Sequence, residues 1–355
     1  MKSISEDVFK FFLPEENLVS AEELTSGHIN DTYLVKGASD KRYIFQKINK
    51  DVFPDVPGLI MNKVQVSRHL HKKHTHLPVS ERERRVLTFV RSHQGSYHYW
   101  DKNGNYWNVT LFVEKSQNFE SVEDKSIAYE GGKLFGSFIR DTEDFDPGKL
   151  IEVIPKFHDM SFRFDQFDQA LKDSSAKRRE RAKNLIEKAL ALRTEMQLLE
   201  NLKDDGAIRI RVTHNDTKIS NALFDHDGKG LCVIDTDTIM PGIIHYDFGD
   251  AIRTICNTAR EDETNLDLVN FNKEYYDSYL KGYLEALGNS VSAMERKYFP
   301  LAAKTMIFIM ALRFLTDYLN NDVYYKTSYP EHNLDRSKNQ FKLIDSFDSV
   351  MGKVS

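Results

Sequence analysis

Three oxygen-bearing side chains stand at suggestive intervals: Asp216, Asn221 five residues later, and Asp235 fourteen after that. They fall in His214-Asn215-Asp216-Thr217-Lys218-Ile219-Ser220-Asn221 and Val233-Ile234-Asp235-Thr236-Asp237. Moving a phosphoryl group from ATP needs a carboxylate beside the acceptor hydroxyl and hard oxygen ligands for the metal on the phosphates. Asp216 can be the first; Asn221 and Asp235 can be the second. Mg²⁺ accepts such a sparse protein set because water and phosphate complete its shell. Each residue alone is weak, since an Asp in a polar loop is usually structural. Together, with a hairpin between the halves, the set predicts a phosphotransfer site.

The elements around the three residues explain the spacing. Arg209 to Val212 reads as a short strand leading into the Asp216 loop. Asn221 to Phe224 and Leu231 to Asp235 read as paired strands joined by the turn Asp225-His226-Asp227-Gly228. That hairpin returns the chain so that Asp235 ends beside Asn221. The first third reads as strands over 32–36, 42–48, 86–90, 97–101 and 106–113, with a helix over 59–74. Asn103-Gly104 suits a type I′ hairpin turn. From Glu114 onward helical spacing dominates, over 126–140, 175–202, 271–287 and 291–319. The fold class expected is α+β and bilobal. A small β-rich N-terminal lobe with one main helix spans 1–113, and a larger, mainly helical C-terminal lobe spans 114–355.

Composition narrows the partners. The chain of 355 residues is 40% hydrophobic and 29% charged, enough to bury a large core in each half. A net charge of −5 argues against nucleic acid or an anionic membrane surface as the partner. Two cysteines, Cys232 and Cys256, exclude a disulfide framework and fit a reducing compartment. The first ten residues lack the apolar stretch of a signal peptide. The most apolar run, Met306 to Leu315, has the length of a core helix. A cytoplasmic enzyme acting on a small molecule, with no protein partner indicated, is the expectation.

The H-x-D-x₄-N spacing from His214 to Asn221 also marks the catalytic loop of protein kinases. Asp247-Phe248-Gly249 spells the metal-binding triplet of those kinases, but it lies 31 residues beyond Asp216, whereas Asp235 lies 19 beyond. Asp235 is therefore taken as the metal carboxylate, and Asp247 and Asp250 as buried supports or caps. Further segments carry a closer resemblance. They are Gly27 to Val35, Arg42 to Gln46, Phe157-His158-Asp159, Arg211 to Lys218, Asp235 to Gly242, Asp247 to Asp250 and Tyr329 to Leu334. In these the chain resembles the aminoglycoside phosphotransferase and choline kinase-like superfamily, and within it the N-acetylhexosamine 1-kinases, over roughly 7–345.

That resemblance implies a protein-kinase-like fold and ATP-dependent phosphorylation of the anomeric (C1) hydroxyl of N-acetylglucosamine or N-acetylgalactosamine. It implies Asp216 as base and Asn221 and Asp235 as Mg²⁺ ligands. It puts Gly27, His28, Asn30 and Thr32 over the ATP phosphates, and Phe112, Val113 and Glu114 against adenine. The strand position that usually holds a phosphate-binding lysine is Gln46. Lys47 should face the other way by strand alternation. The helix position of the lysine's acidic partner aligns with Gln65, so both charges are expected to be missing together.

For the acceptor, Arg313 interrupts the apolar run 306–314, and a guanidinium there must find acceptors or face a cavity. A buried ion pair would satisfy it; the resemblance instead makes Arg313, Tyr324, His28 and Asp216 contacts to the sugar. His158 and His214 are expected to be structural, and Arg253 to brace Asp250. Glu261, Asp262 and Glu263 could line a site for a cationic acceptor, although a solvated loop suits them better. The alternatives are a kinase for another sugar, homoserine, choline or an aminoglycoside, and a pseudokinase that only binds nucleotide.

Overall fold

The computed structural model describes residues 4–24 and 29–352. Its N-terminal part is an antiparallel sheet of β1 (Leu18–Leu24), β2 (Asp31–Gly37), β3 (Arg42–Ile48), β4 (Tyr99–Trp100) and β5 (Tyr106–Leu111), ordered β1-β2-β3-β5-β4. Strand alternation splits its side chains between two faces. Tyr33, Val35, Tyr43, Phe45, Trp107 and Val109 pack against Val8, Phe9 and Phe12 of helix α1 (Glu6–Phe12). Ile48 joins a second apolar cluster with Val56, Leu59, Ile60 and Val64 of α2 (Val56–Lys73), and Gln46 shares its side of the strand. Asp55 caps α2 by accepting the Gly58 N–H at 2.9 Å, and His71, Lys72 and Lys73 complement the dipole at its far end.

Two expectations in this part are corrected. Residues 86–90 contribute only one isolated bridge, Phe89 to Thr110, and the chain before them forms a short helix, α3 (Val79–Arg85). The Asn103-Gly104 turn is not type I′, because only Gly104 has positive φ, at 77°. The Asp101 carboxylate accepts N–H groups of Asn103 and Asn105, each at 2.9 Å, and the Trp107 indole N–H at 2.8 Å. That local ring of donors favours a three-residue loop with glycine in the left-handed region. Helix α1 and strand β1 carried no clear signal: β1 is exposed nearly throughout, so it shows no alternation.

The remainder is mainly helical. A three-stranded sheet runs β6 (Gln117–Asn118), β8 (Ala222–Phe224), β9 (Gly230–Val233), and β7 (Arg211–Thr213) pairs with β10 (Met240–Gly242). Around them lie α4 (Lys125–Asp141), α5 (Met160–Asp173), α6 (Ala176–Arg181), α7 (Lys183–Met196) and α8 (Leu198–Asp204). Then follow α9 (Ile244–Ile255), α10 (Lys273–Leu287), α11 (Ala293–Lys297), α12 (Phe299–Leu319) and α13 (His332–Met351). The helix expected over 175–202 is three pieces, broken at Ala182 and Gln197, where turns tighten; the Leu185 N–H, for one, bonds the Ala182 carbonyl. Helix α12 has a mean hydropathy of 1.5 and is 78% buried over its most apolar stretch, so it is the core helix of this part.

Helices α4 and α10 cross at backbone distance because three glycines remove the side chains between them. A Cβ on Gly132 would strike the Tyr279 carbonyl, and one on Gly282 the Tyr129 carbonyl. At Gly136 it would lie 2.6 Å from the Tyr283 carbonyl oxygen. Backbone cannot retreat as a side chain can, so Gly132→Ala is expected to destabilise the fold by about 1–3 kcal/mol. Denaturant unfolding of the variant checks this; an unchanged midpoint would refute the close packing.

Candidate active site

The loop after β7 is held by two carboxylates from one helix. Asp247, in the first turn of α9, accepts the N–H groups of His214 at 2.8 Å and Asn215 at 2.7 Å. Asp250, one turn on, accepts the Thr217 N–H at 3.1 Å and pairs with Arg253 at 3.1 Å. Burial pushes the Asp247 carboxyl up to about 6, while the His214 and Asn215 N–H groups pull it back toward the ionised form. The His214 ring bonds the Ile234 carbonyl at 2.8 Å, tying the loop to the residue before Asp235. Asn215 takes positive φ, 65°, and its amide donates to Thr213 Oγ1 at 2.9 Å and the Thr238 carbonyl at 3.0 Å. These bonds fix the backbone on both sides of Asp216 and leave its side chain partly exposed.

Asp216, Asn221 and Asp235 meet there. The Asn221 amide donates to the Asp216 carbonyl at 2.8 Å and to its carboxylate at 3.0 Å. With its nitrogen spent on Asp216, Asn221 keeps its carbonyl oxygen for another partner. Lys218 Nζ lies 3.1 Å from Asp216 Oδ1. Burial pulls the Lys218 ammonium down, but Asp216 and Asp250 more than reverse this and keep it charged. Asp235 has φ 53°, a left-handed turn that Asp tolerates better than most residues. Burial, then the Asp237 and Asp216 carboxylates, push its carboxyl up to about 7. A divalent cation would relieve that crowding, so the donor set fits Mg²⁺. Among the described residues no three His, Cys, Asp or Glu side chains group as a metal site.

The phosphate side differs from expectation. Gln46 does occupy the inner face of β3, and Lys47 turns away to pair with Asp31. The helix residue facing Gln46 is Lys63, not Gln65. Lys63 Nζ donates to Gln46 Oε1 at 2.9 Å and forms a buried ion pair with Asp237. Gln46 Nε2 donates to Asp237 at 2.8 Å, and Asn30 donates to the same carboxylate. The charge pair is thus present, with its cation on α2 and its anion two residues after Asp235. Lys63 had a sequence signal: it sits four residues after Leu59 and three after Ile60, on the buried stripe of α2, where a lysine needs a partner. A cavity of about 370 Å³ behind this network, between α2, α4 and β9, shares only Lys63 with it. Thr32 lies opposite Gln46 in the strand register. Gly27 and His28 lie outside the described residues.

The connector after β5 is braced. The Phe112 N–H bonds the Arg42 carbonyl at 3.0 Å, and the Arg42 guanidinium stacks on the Phe112 ring at 4.1 Å and pairs with Glu114. Val113 is buried with Leu231 and Cys232, giving an apolar wall beside the connector.

Arg313 and Tyr324, the two residues expected at the acceptor, are together. The Arg313 guanidinium carbon lies 5.7 Å from the Phe157 ring centre, 5.9 Å from Tyr324 and 5.6 Å from Tyr325. No ion pair to Arg313 or Arg163 is present among the described residues; Arg163 donates instead to the Phe157 carbonyl at 2.6 Å and Gln166 at 2.8 Å. Burial and then the neighbouring Arg313 charge bring Arg163 down to about 10. Burial holds His158 near 3, against the pull of Asp250 and with the push of Arg313, so its ring is neutral. His158 feels Asp250, the Asn215 backbone, Arg163 and Arg313, and so joins this cluster to the Asp216 loop. Glu261 is neutralised by Arg253 at 2.9 Å, and Asp262 pairs with Arg260 at 3.3 Å. Arg163 and Tyr325 were not singled out from sequence, and Phe157 stood only within a segment of resemblance, because nothing local brings them near Arg313.

Solved structures share this architecture. The chain aligns with a microcompartment-associated aminopropanol kinase at a TM-score of 0.59 and 15% identity, covering 96% of this chain and 95% of that one. It aligns with an amicoumacin kinase bound to AMP-PNP at 0.60 and 13%, covering 93% and 91%. A choline kinase from Cryptosporidium parvum Iowa II aligns at 0.56 and 13%, covering 94% and 90%. At such identities the likeness shows a shared kinase-like fold, with a β-sheet N-terminal lobe and a larger helical C-terminal lobe. The sequence profile of the Phosphotransferase enzyme family (APH) matches residues 20–296. The protein therefore belongs to that phosphotransferase family.

Proposed function

We propose that this phosphotransferase is an ATP- and Mg²⁺-dependent kinase whose acceptor is an N-acetylhexosamine, phosphorylated at its C1 hydroxyl. Residues 1–113 form the nucleotide lobe and 114–355 the catalytic and acceptor lobe. The observation that carries the acceptor class is the pair Arg163 and Arg313, free of carboxylate partners among the described residues and walled by Phe157, Tyr324 and Tyr325. Two guanidinium groups repel a cationic acceptor such as choline or an aminoglycoside. Aromatic walls with fixed N–H donors suit the ring face, hydroxyls and acetyl carbonyl of a neutral amino sugar. They would also suit a carboxylate, so homoserine stands as the second reading.

On this reading Asp216 accepts the proton of the attacking hydroxyl, and Lys218 and Asn221 hold its carboxylate toward the acceptor. Asn221 Oδ1 and Asp235 would hold Mg²⁺, which when bound would neutralise charge on the transferring phosphates. The Phe112 to Glu114 connector takes adenine, and Asn30, Thr32 and Gln46 face the phosphates, where the family resemblance also assigns Gly27 and His28 a role. His158 stays neutral throughout the working pH range and shapes the acceptor wall.

Asp216→Asn is expected to cut turnover by about 10²-fold or more with AMP-PNP affinity largely kept; turnover near wild type would reject the base assignment. Asp235→Ala is expected to abolish the Mg²⁺ dependence of nucleotide binding, and an unchanged Mg²⁺ titration would remove it from the metal site. ADP release across both N-acetylhexosamines, their free amino sugars, homoserine and choline tests the acceptor. Activity on choline alone would overturn the reading. Arg313→Met should raise the acceptor KM about tenfold or more with the ATP KM little changed; equal rises in both would assign it to structure instead.

A further inference from the structure

Strand β3 presents a neutral amide where the nucleotide phosphates need a cation. Gln46 lies at the middle of the sheet, opposite Thr32 on one side and Asn108 on the other, with its amide turned inward. Its carbonyl oxygen accepts Lys63 Nζ at 2.9 Å and the Asn108 amide at 3.2 Å, and its nitrogen donates to Asp237 at 2.8 Å. Lys63 and Asp237 are each only 4% exposed, so neither charge has water to solvate it. Asn30 closes the network on Asp237 while its own carbonyl oxygen accepts the Asn49 N–H at 2.7 Å. Four parts of the chain are joined in this way: Asn30 just before β2, β3, α2 and the loop that carries Asp235.

We infer that Lys63 is the positioning cation of the nucleotide site, replacing from helix α2 the charge that β3 lacks. Its ammonium has two consequences fixed by place. It neutralises Asp237, so that the buried loop can hold Asp235 for the metal without two unpaired carboxylates side by side. It also makes the Gln46 amide a polarised donor aimed from the sheet, since a carbonyl oxygen that accepts from a cation strengthens the N–H at the other end. A shift of α2 moves Lys63, and with it the Asp235 loop and the inner face of β3 together.

The inference rests on the kinase reading, and the test separates the two. Calorimetry would measure adenosine and AMP-PNP binding, with and without Mg²⁺, for wild type, Lys63→Gln, Lys63→Arg and the double variant Gln46→Lys/Lys63→Gln. Lys63→Gln keeps a hydrogen bond to Asp237 but removes the charge. It is expected to lose about tenfold or more in Mg²⁺-dependent AMP-PNP affinity while adenosine binding stays within about twofold. Lys63→Arg should hold most of the affinity, and the double variant should recover part of it because a strand lysine reaches the same carboxylate. A merely structural lysine would change adenosine and AMP-PNP binding alike, or neither, and would show no recovery in the double variant; either outcome overturns the inference. If Lys63→Gln does not fold, a double variant that folds without Mg²⁺-dependent affinity also overturns it. A wild type that binds no AMP-PNP overturns the kinase reading itself.

Discussion

The site depends first on one buried carboxylate. Asp247 lies at the start of α9, 1% exposed, and spends both oxygens on consecutive backbone N–H groups of the loop after β7. Those groups face a protein interior, where an unpaired N–H costs about 1–3 kcal/mol. The same two bonds set the loop's path, so Asp216 emerges at one place and angle. Asp250 and Arg253 repeat the device at Thr217. The clamp from α9 acts with the Asn215 side-chain bonds to Thr213 and Thr238 to hold Asn215 in the left-handed region, so that the five-residue spacing to Asn221 brings the two side chains together.

Charge is sorted around that clamp. Asp216, Asp235 and Asp237 gather together, with Lys218 and Lys63 as their counterions. The crowding that raises the Asp235 carboxyl to about 7 is what a divalent cation would reverse. Around α5 and α12 the sign changes: Arg163 and Arg313 stand among aromatic rings, and Glu261 pairs with Arg253. The choline and aminopropanol kinases share the fold, but the fold by itself does not carry their acceptors across.

Much of this was legible before the structure. The Asp216 to Asn221 spacing, the hairpin to Asp235 and the change from strand to helix patterning near Glu114 are local signals. Each is written in period, turn chemistry or a short interval along the chain. The misses share a cause. The edge strand β1 is exposed on both faces, so it has no alternation to read. The 86–90 segment has strand composition but makes one bridge, because pairing is decided by neighbours. The Asn103-Gly104 turn changed type because Asp101, two residues before, offered a better set of acceptors.

The sequence alone determined which oxygen-bearing side chains meet. Asp216, Asn221 and Asp235 lie within twenty residues, and short-range geometry is enough to bring them into one site. Tertiary structure alone decided which charges stand around them. Gln65 and Lys63 sit two residues apart on one helix, yet only packing against β3 shows that Lys63 is the one facing Gln46. Its partner Asp237 is 174 residues away, and no interval along the chain encodes that pairing. The same holds for Arg163 and Arg313, which meet only because α5 and α12 pack together. A buried charge is satisfied by whatever the fold places beside it, and that is settled in three dimensions.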